Sequence, residues 1–171
     1  MARQAGRPAA PAPHAAGAVH AGGPSGRLGR DPGRSRGDRR AVIYLDACAL
    51  IKLLIPEPES IVLADYLAEA TEPLATSELS TVEVHRALTG LEVDPDLHGV
   101  ADALLEDFLR LPLGPVVNSA ARLPGQHLRS LDALHLATAQ QLARPLTELI
   151  TYDKRLADHA TVAGVRVAAP A

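Results

Sequence analysis

Apolar strand-like runs alternating with segments of helical periodicity predict an α/β sandwich on a mainly parallel sheet. Residues 41–45, Ala-Val-Ile-Tyr-Leu, form a continuous β-forming run between Arg39-Arg40 and Asp46, the pattern of a strand buried on both faces. A second apolar run, 146–152, lies near the other end of the chain, and five segments of helical pattern lie between the two. Residues 47–55 read as a helix stopped by Pro56-Glu57-Pro58. Residues 60–70 place Ile61, Leu63, Ala64 and Leu67 at helical spacing, and 74–76 read as a brief strand. Ser77 reads as the N-cap of a helix ending near Gly90, with Glu78 in its first turn. Val100, Leu104, Phe108 and Leu111 predict one amphipathic helix over 96–111. Pro112, Pro115 and Pro124 break the next stretch, which has room for a short strand and a short helix. Ser130 reads as the cap of a helix over 130–143; a helix over 153–163 and an edge strand over 165–167 complete the chain.

The 171 residues suit one ordinary domain, and 47% are apolar, enough for a sizeable core. Aromatic residues are scarce, three Tyr, one Phe and no Trp, which argues against aromatic stacking as the main mode of ligand binding. The single cysteine, Cys48, excludes an intramolecular disulfide and a Cys-rich zinc site, and fits a reducing compartment. No run approaches the length of a membrane-spanning helix, and no secretory signal is visible, so a cytoplasmic location is the expectation.

The net charge of −3 hides a division. Residues 1–40 carry eight Arg against Asp31 and Asp38, with eight Gly, five Pro and nine Ala; residues 41–171 carry nine Lys+Arg against 18 Asp+Glu. A Gly/Pro/Ala/Arg stretch buries too little apolar surface to offset its ordering entropy, so 1–40 reads as a disordered basic extension and 41–171 as the folded domain. The extension suits a basic arm for RNA phosphates or an acidic partner, and equally a passive tail or translated upstream DNA; the passive reading is the expectation.

Four carboxylates stand where parallel sheets do chemistry. Asp46 and Asp153 directly follow apolar strands, at the carboxyl ends where ligands of open parallel sheets sit. Asp132 lies in the first turn of its helix, and Glu83 shares the apolar face of Leu79 and Ala87. Each has a plainer role available: Asp46 and Asp153 as helix caps, Asp132 as a complement to a helix dipole, Glu83 paired with Arg86. Together they are compatible with one pocket, where clustered carboxylates repel unless a cation neutralises them. Hard ions such as Mg²⁺ or Mn²⁺ suit an all-oxygen site and serve phosphodiester cleavage. His85 and His135 lie on helices near these acids without a His-x-x-x-His zinc spacing, and His135 reads as structural or as support behind the acids. Arg86, Arg129, Lys154 and Arg155 flank the acidic motifs, either as guides for phosphates or as solvated charge.

The segments Ile43-Tyr-Leu-Asp-Ala-Cys-Ala-Leu-Ile-Lys-Leu53, Val82-Glu-Val-His-Arg-Ala87, Ser130-Leu-Asp-Ala-Leu-His-Leu-Ala-Thr-Ala139 and Ile150-Thr-Tyr-Asp-Lys-Arg-Leu156 together resemble the PIN-domain ribonucleases, and most closely the VapC toxins of type II toxin–antitoxin pairs. The resemblance spans 42–170. It implies a PIN-like three-layer α/β/α sandwich with a mainly parallel central sheet. It also implies a Mg²⁺-dependent endoribonuclease, with Mn²⁺ able to take the place of Mg²⁺, acting on RNA and held in check by a cognate antitoxin. By that resemblance Asp46 and Asp132 are the firmest metal ligands, Glu83 and Asp153 complete the site directly or through water, and Thr151 supports a carboxylate. Cys48 stands where relatives usually carry Ser or Thr, which puts one supporting contact in question. Leu63, Leu67, Leu104 and Phe108 exceed what one small core obviously needs, and with the resemblance they lead to the expectation of a homodimer. Two other readings compete: a catalytically silent module of the same fold that only binds proteins, and a haloacid-dehalogenase-like phosphatase. The phosphatase needs a second Asp two residues after the first, where this chain has Cys48.

The tail reading carries its own test. A chain shortened to begin at Arg40 is expected to keep its melting temperature, measured by circular dichroism, because 1–40 offers no apolar face to dock. A drop of several degrees would make the extension part of the fold.

Overall fold

The computed structural model describes residues 40–142 and 144–171. The expectation for 1–40 therefore concerns residues that, up to 39, lie outside the described set, as does Ala143 at the end of the expected 130–143 helix. The described elements run β1 Val42–Leu45, α1 Ala47–Leu54, α2 Ser60–Glu69, β2 Leu74–Ser77, α3 Glu78–Gly90, α4 Leu97–Glu106, β3 Leu109–Leu111, α5 Val117–Ala120, α6 Ser130–Gln140, β4 Leu146–Ile150, α7 Lys154–Val162 and β5 Val167–Ala168. The five strands form one sheet in the order β3-β2-β1-β4-β5, every pair parallel. The α/β sandwich is thus the observed fold.

Alternation along β1 divides the core into two layers. Ile43 and Leu45 face α1 to α4, packing with Ala49, Leu50, Leu63, Val84, Leu88, Ala101 and Leu105. Val42 and Tyr44 face the other side, with Leu136 and Ala139 of α6 and Leu156 and Ala160 of α7. All four residues of β1 are buried, the requirement for a central strand covered by helices on both faces. From β1 the chain crosses to β2 on one side and later returns to β4 on the other. The crevice at the carboxyl ends of β1 and β4 is therefore the topological switch point, the usual ligand position of open parallel sheets. Leu45 pairs with Ile150 there, and the Asp46 amide donates to the Ile150 carbonyl at 3.2 Å.

The structure corrects several expectations. The segment 96–111 is not one helix: α4 ends at Glu106, and Leu109–Leu111 pairs with β2 as an edge strand. Phe108 belongs to both patterns, and its burial against the α-helical layer marks the change of direction. The last strand pairs as Val167–Ala168, two residues later than 165–167, although the Arg166 carbonyl accepts from the Leu149 amide. Ser77 occupies the N-cap position of α3 but makes no capping bond, and its buried hydroxyl has no hydrogen-bond partner. Ser130 is the first residue of α6, and the N-cap position falls to Arg129. Leu63 and Phe108 are core residues, with Leu67 and Leu104 packed against them, so these four belong to the domain's own interior and are not surplus apolar surface. Among the described residues no helix is long and apolar enough to cross a membrane.

One turn depends on glycine. Gly125 has φ of 136°, and a Cβ there would stand 2.6 Å from His159 Cε1. Gly125→Ala is expected to cost about 1–3 kcal/mol, from the backbone conformation together with displacement of His159. A lowered urea midpoint would show it; an unchanged midpoint would mean that the turn and His159 shift without strain.

Candidate active site

The first strand delivers Asp46 into the switch-point crevice and α1 starts immediately after it. Asp46 takes the N-cap position, its Oδ1 accepting from the Ala49 amide at 3.0 Å. That role does not exhaust the carboxylate. Thr151, just beyond β4, donates from Oγ1 to Asp46 Oδ2 at 2.6 Å, and the Cys48 thiol lies 2.9 and 3.1 Å from the two oxygens. The contact that Cys48 put in question is therefore present, made by sulfur. The same sulfur accepts from the Tyr152 amide at 3.1 Å, so Cys48 ties the start of α1 to the loop after β4. Burial is the first reason its thiol pKa rises to about 12, and the neighbouring Asp46 charge is the second. Cys48 is a held thiol, not a nucleophile.

Asp46 is 4% exposed and Thr151 1%. Burial pushes the Asp46 pKa above its ordinary value, while Cys48, His135, Thr151 and the Ala49 amide pull it back. Thr151 also accepts from the Asp153 amide at 3.1 Å, which links the acids of β1 and β4 through one hydroxyl. Asp153 is the N-cap of α7: its Oδ1 accepts from the amides of Arg155 at 2.7 Å and Leu156 at 3.1 Å.

Glu83 comes from the middle of α3, partly exposed, and does not pair with exposed Arg86 in the way considered above. Its Oε2 meets His135 Nε2 at 2.7 Å, and the opposite ring nitrogen, Nδ1, lies 2.8 Å from the Tyr44 hydroxyl. Asp132, one turn before His135, lies in the first turn of α6, and its buried Oδ2 has no hydrogen-bond partner. The structure thus joins Asp46 to Asp153 through Thr151, places Asp46 within the electrostatic reach of His135, and joins His135 to Glu83. Among the described residues no three His, Cys, Asp or Glu side chains are grouped closely enough to hold a metal ion together.

Around the acids the cations divide. Lys52 is tied to Glu57 and Glu59 and lies 4.7 Å over the Tyr152 ring. Lys154 and Arg155 line an open groove with His127, Tyr152, Asp153, Asp158 and His159. Arg86 and Arg129 are exposed on α3 and at the start of α6. His85 faces away from this chemistry, contacting His98 at 2.8 Å and Asp102 at 2.9 Å.

Tyr44 is the residue that the sequence reading passed over. A signal was available: a phenol inside a strand buried on both faces needs a partner for its hydroxyl. Its neighbours Val42, Ile43 and Leu45 drew it into the aliphatic run instead.

The PIN-domain family model matches residues 43–162. Ribonuclease VapC35 of Mycobacterium tuberculosis is 43% identical over 133 residues, covering 75% of this chain and 97% of that protein. Among solved structures, VapC20 of Mycobacterium tuberculosis, titled a sarcin–ricin-loop-cleaving toxin, superposes with a TM-score of 0.61 at 14% identity, covering 75% of this chain and 99% of that one. A toxin–antitoxin complex from Klebsiella pneumoniae gives 0.57 at 23% identity, covering 75% and 98%. At these identities the structural likeness speaks for the fold.

The Asp46 carboxyl gives a pH-dependent prediction. Its raised pKa means that, above 3.8, the folded protein keeps a proton that the unfolded chain has lost. Stability therefore falls as pH rises through that window, and above it the full cost of the buried charge remains. Asp46→Asn, melted in EDTA, is expected to be several degrees more stable at neutral pH, the gap closing as pH falls toward 3.8. A pH-independent gap would place the effect elsewhere.

Proposed function

The chain belongs to the PIN-domain family, and on that footing we propose that it is a Mg²⁺-dependent endoribonuclease, the toxin of a type II toxin–antitoxin pair. The observation that carries the reading is the buried Asp46 carboxylate at the switch point, with the orphaned Asp132 Oδ2 as a second acceptor contributed by α6. A buried acceptor without a donor is unfavourable unless a cation or a water meets it.

The donors fit a hard divalent ion of a particular kind. With no three side chains grouped around one point, a cage made only of protein ligands is absent among the described residues. Mg²⁺ instead binds through one or two carboxylates and keeps several waters. Asp46 and Asp132 are the proposed direct ligands, with Glu83 and Asp153 accepting from the ion's waters, and Mn²⁺ able to replace Mg²⁺. Bound there, the ion would activate a water and stabilise the leaving oxygen of a phosphodiester. The remaining work belongs to the chain. Thr151 and Cys48 hold the Asp46 carboxylate in one orientation. Lys154 and Arg155 stand in the groove beside Asp153, placed to receive the phosphates of an RNA strand.

A cognate antitoxin is the proposed partner, on the strength of the toxin–antitoxin complex among the similar structures. A second copy of the chain is proposed on the apolar residues left exposed on α2 and α4, Ile61 and Val62 at 75% and 43% and Val100 at 54%. Leu63, Leu67, Leu104 and Phe108, in or against the core, do not contribute to that surface.

Purified protein is expected to cut RNA in Mg²⁺ or Mn²⁺ and to stop in EDTA, read on a denaturing gel. Asp46→Asn and Asp132→Asn should each lower the rate by more than the roughly 10- to 100-fold typical of residues behind metal ligands. Undiminished cleavage in EDTA, or by both variants, would overturn the reading.

A further inference from the structure

Tyr44, His135 and Glu83 form a hydrogen-bonded line through the layer between the sheet and α6. Tyr44 is 0% exposed and His135 3%, and the rings meet edge to face, their centroids 6.0 Å apart at 71°. Burial holds the Tyr44 phenol far from ionisation, so its proton stays and needs an acceptor. His135 Nδ1 stands 2.8 Å away. Glu83 as a carboxylate can only accept, and His135 Nε2 stands 2.7 Å from its Oε2. A neutral ring with its proton on Nε2 satisfies both ends: Nδ1 accepts from Tyr44 and the Nε2 proton points at Glu83.

We infer that His135, oriented by Tyr44, is the positioning residue that fixes the Glu83 carboxylate in the acidic site. The inference rests on the nuclease reading for its functional consequence and on the geometry for its content. Glu83 needs such a device more than Asp46 and Asp153 do. Asp46 and Asp153 are locked by backbone amides at the starts of α1 and α7. Glu83 sits in the middle of α3, where the amides are committed to the helix, and its longer side chain has one more torsion to lose. A donor from a neighbouring helix supplies what a helix start supplies to the other two. His135 is itself held, because buried Tyr44 restrains the ring from the far side, as a support behind a ligand must.

The decisive variants are His135→Leu, His135→Gln, Tyr44→Phe, Glu83→Ala and the double variant His135→Leu/Glu83→Ala. In metal-free protein, the ¹⁵N spectrum of the His135 ring should show the proton on Nε2, and Tyr44→Phe should weaken that preference; a proton on Nδ1 in the wild type overturns the inference. His135→Leu should raise the Mn²⁺ dissociation constant measured by calorimetry about tenfold, and lower single-turnover RNA cleavage by a similar factor. His135→Gln, which keeps a donor, should recover much of both. In the Glu83→Ala background, His135→Leu should cost nothing more, since nothing remains to be positioned; additive losses overturn the inference. If His135→Leu fails to fold, Tyr44→Phe and His135→Gln carry the same comparison. A wild type that does not cleave RNA in Mg²⁺ sinks the nuclease reading alone. A cleaving wild type matched by every His135 and Tyr44 variant sinks only this one.

Discussion

A single carboxylate, held nearly out of water at the carboxyl end of the central strand, organises this molecule. Asp46 accepts from the Ala49 amide, the Thr151 hydroxyl and the Cys48 thiol, so it fastens α1, β4 and the loop after β4 to the end of β1. These donors do not cancel the cost of burial, and the carboxyl pKa stays raised. A fold that gives up stability to keep an acid at one point usually does so for chemistry at that point.

Much of the fold is legible in the sequence because β1 and β4 are unambiguous. Each leads to an acid that caps the next helix, directly after β1 and three residues after the end of β4, and two such units already require a parallel sheet with a crossover. The positions of Asp46 and Asp153 follow from the same pattern. What stayed hidden was settled by contacts distant in sequence. Leu109-Arg-Leu111 continues the helical spacing of Val100 and Leu104, and only its pairing with β2 makes it a strand. Leu63 and Phe108 could not be assigned to the interior before it was known that α2 and α4 share a face of the sheet. Ser77 and Ser130 have the right chemistry for caps, but Ser77 is buried without a bond and Ser130 begins its helix. The pairing of Glu83 with His135 joins residues 52 positions apart, where local spacing could offer only Arg86.

The acidic balance of residues 41–171, nine basic against 18 acidic, is unevenly distributed once the charges are placed. Asp46 is withdrawn from the surface, and Glu57 and Glu59 are occupied by Lys52. Lys154 and Arg155 remain in the groove beside Asp153. Lys154 and Arg155 there stand beside Asp153 and Asp158, so the groove is not uniformly acidic like the domain's net balance.

The central strand also dictates an order of events during synthesis. Its Asp46 bonds to a hydroxyl 105 residues further on, and β1 pairs with β4 across nearly the whole domain. Such long-range closure comes late, since the loop entropy must be overcome before the contact forms. A ribosome that has delivered β1, α1 and even β2 has produced an acid with neither Thr151 nor the Tyr152 amide to complete its surroundings. The acidic centre can assemble only after β4 has emerged, so a chain that stops short of residue 151 lacks the Thr151 and Tyr152 bonds that complete the surroundings of Asp46 and Cys48.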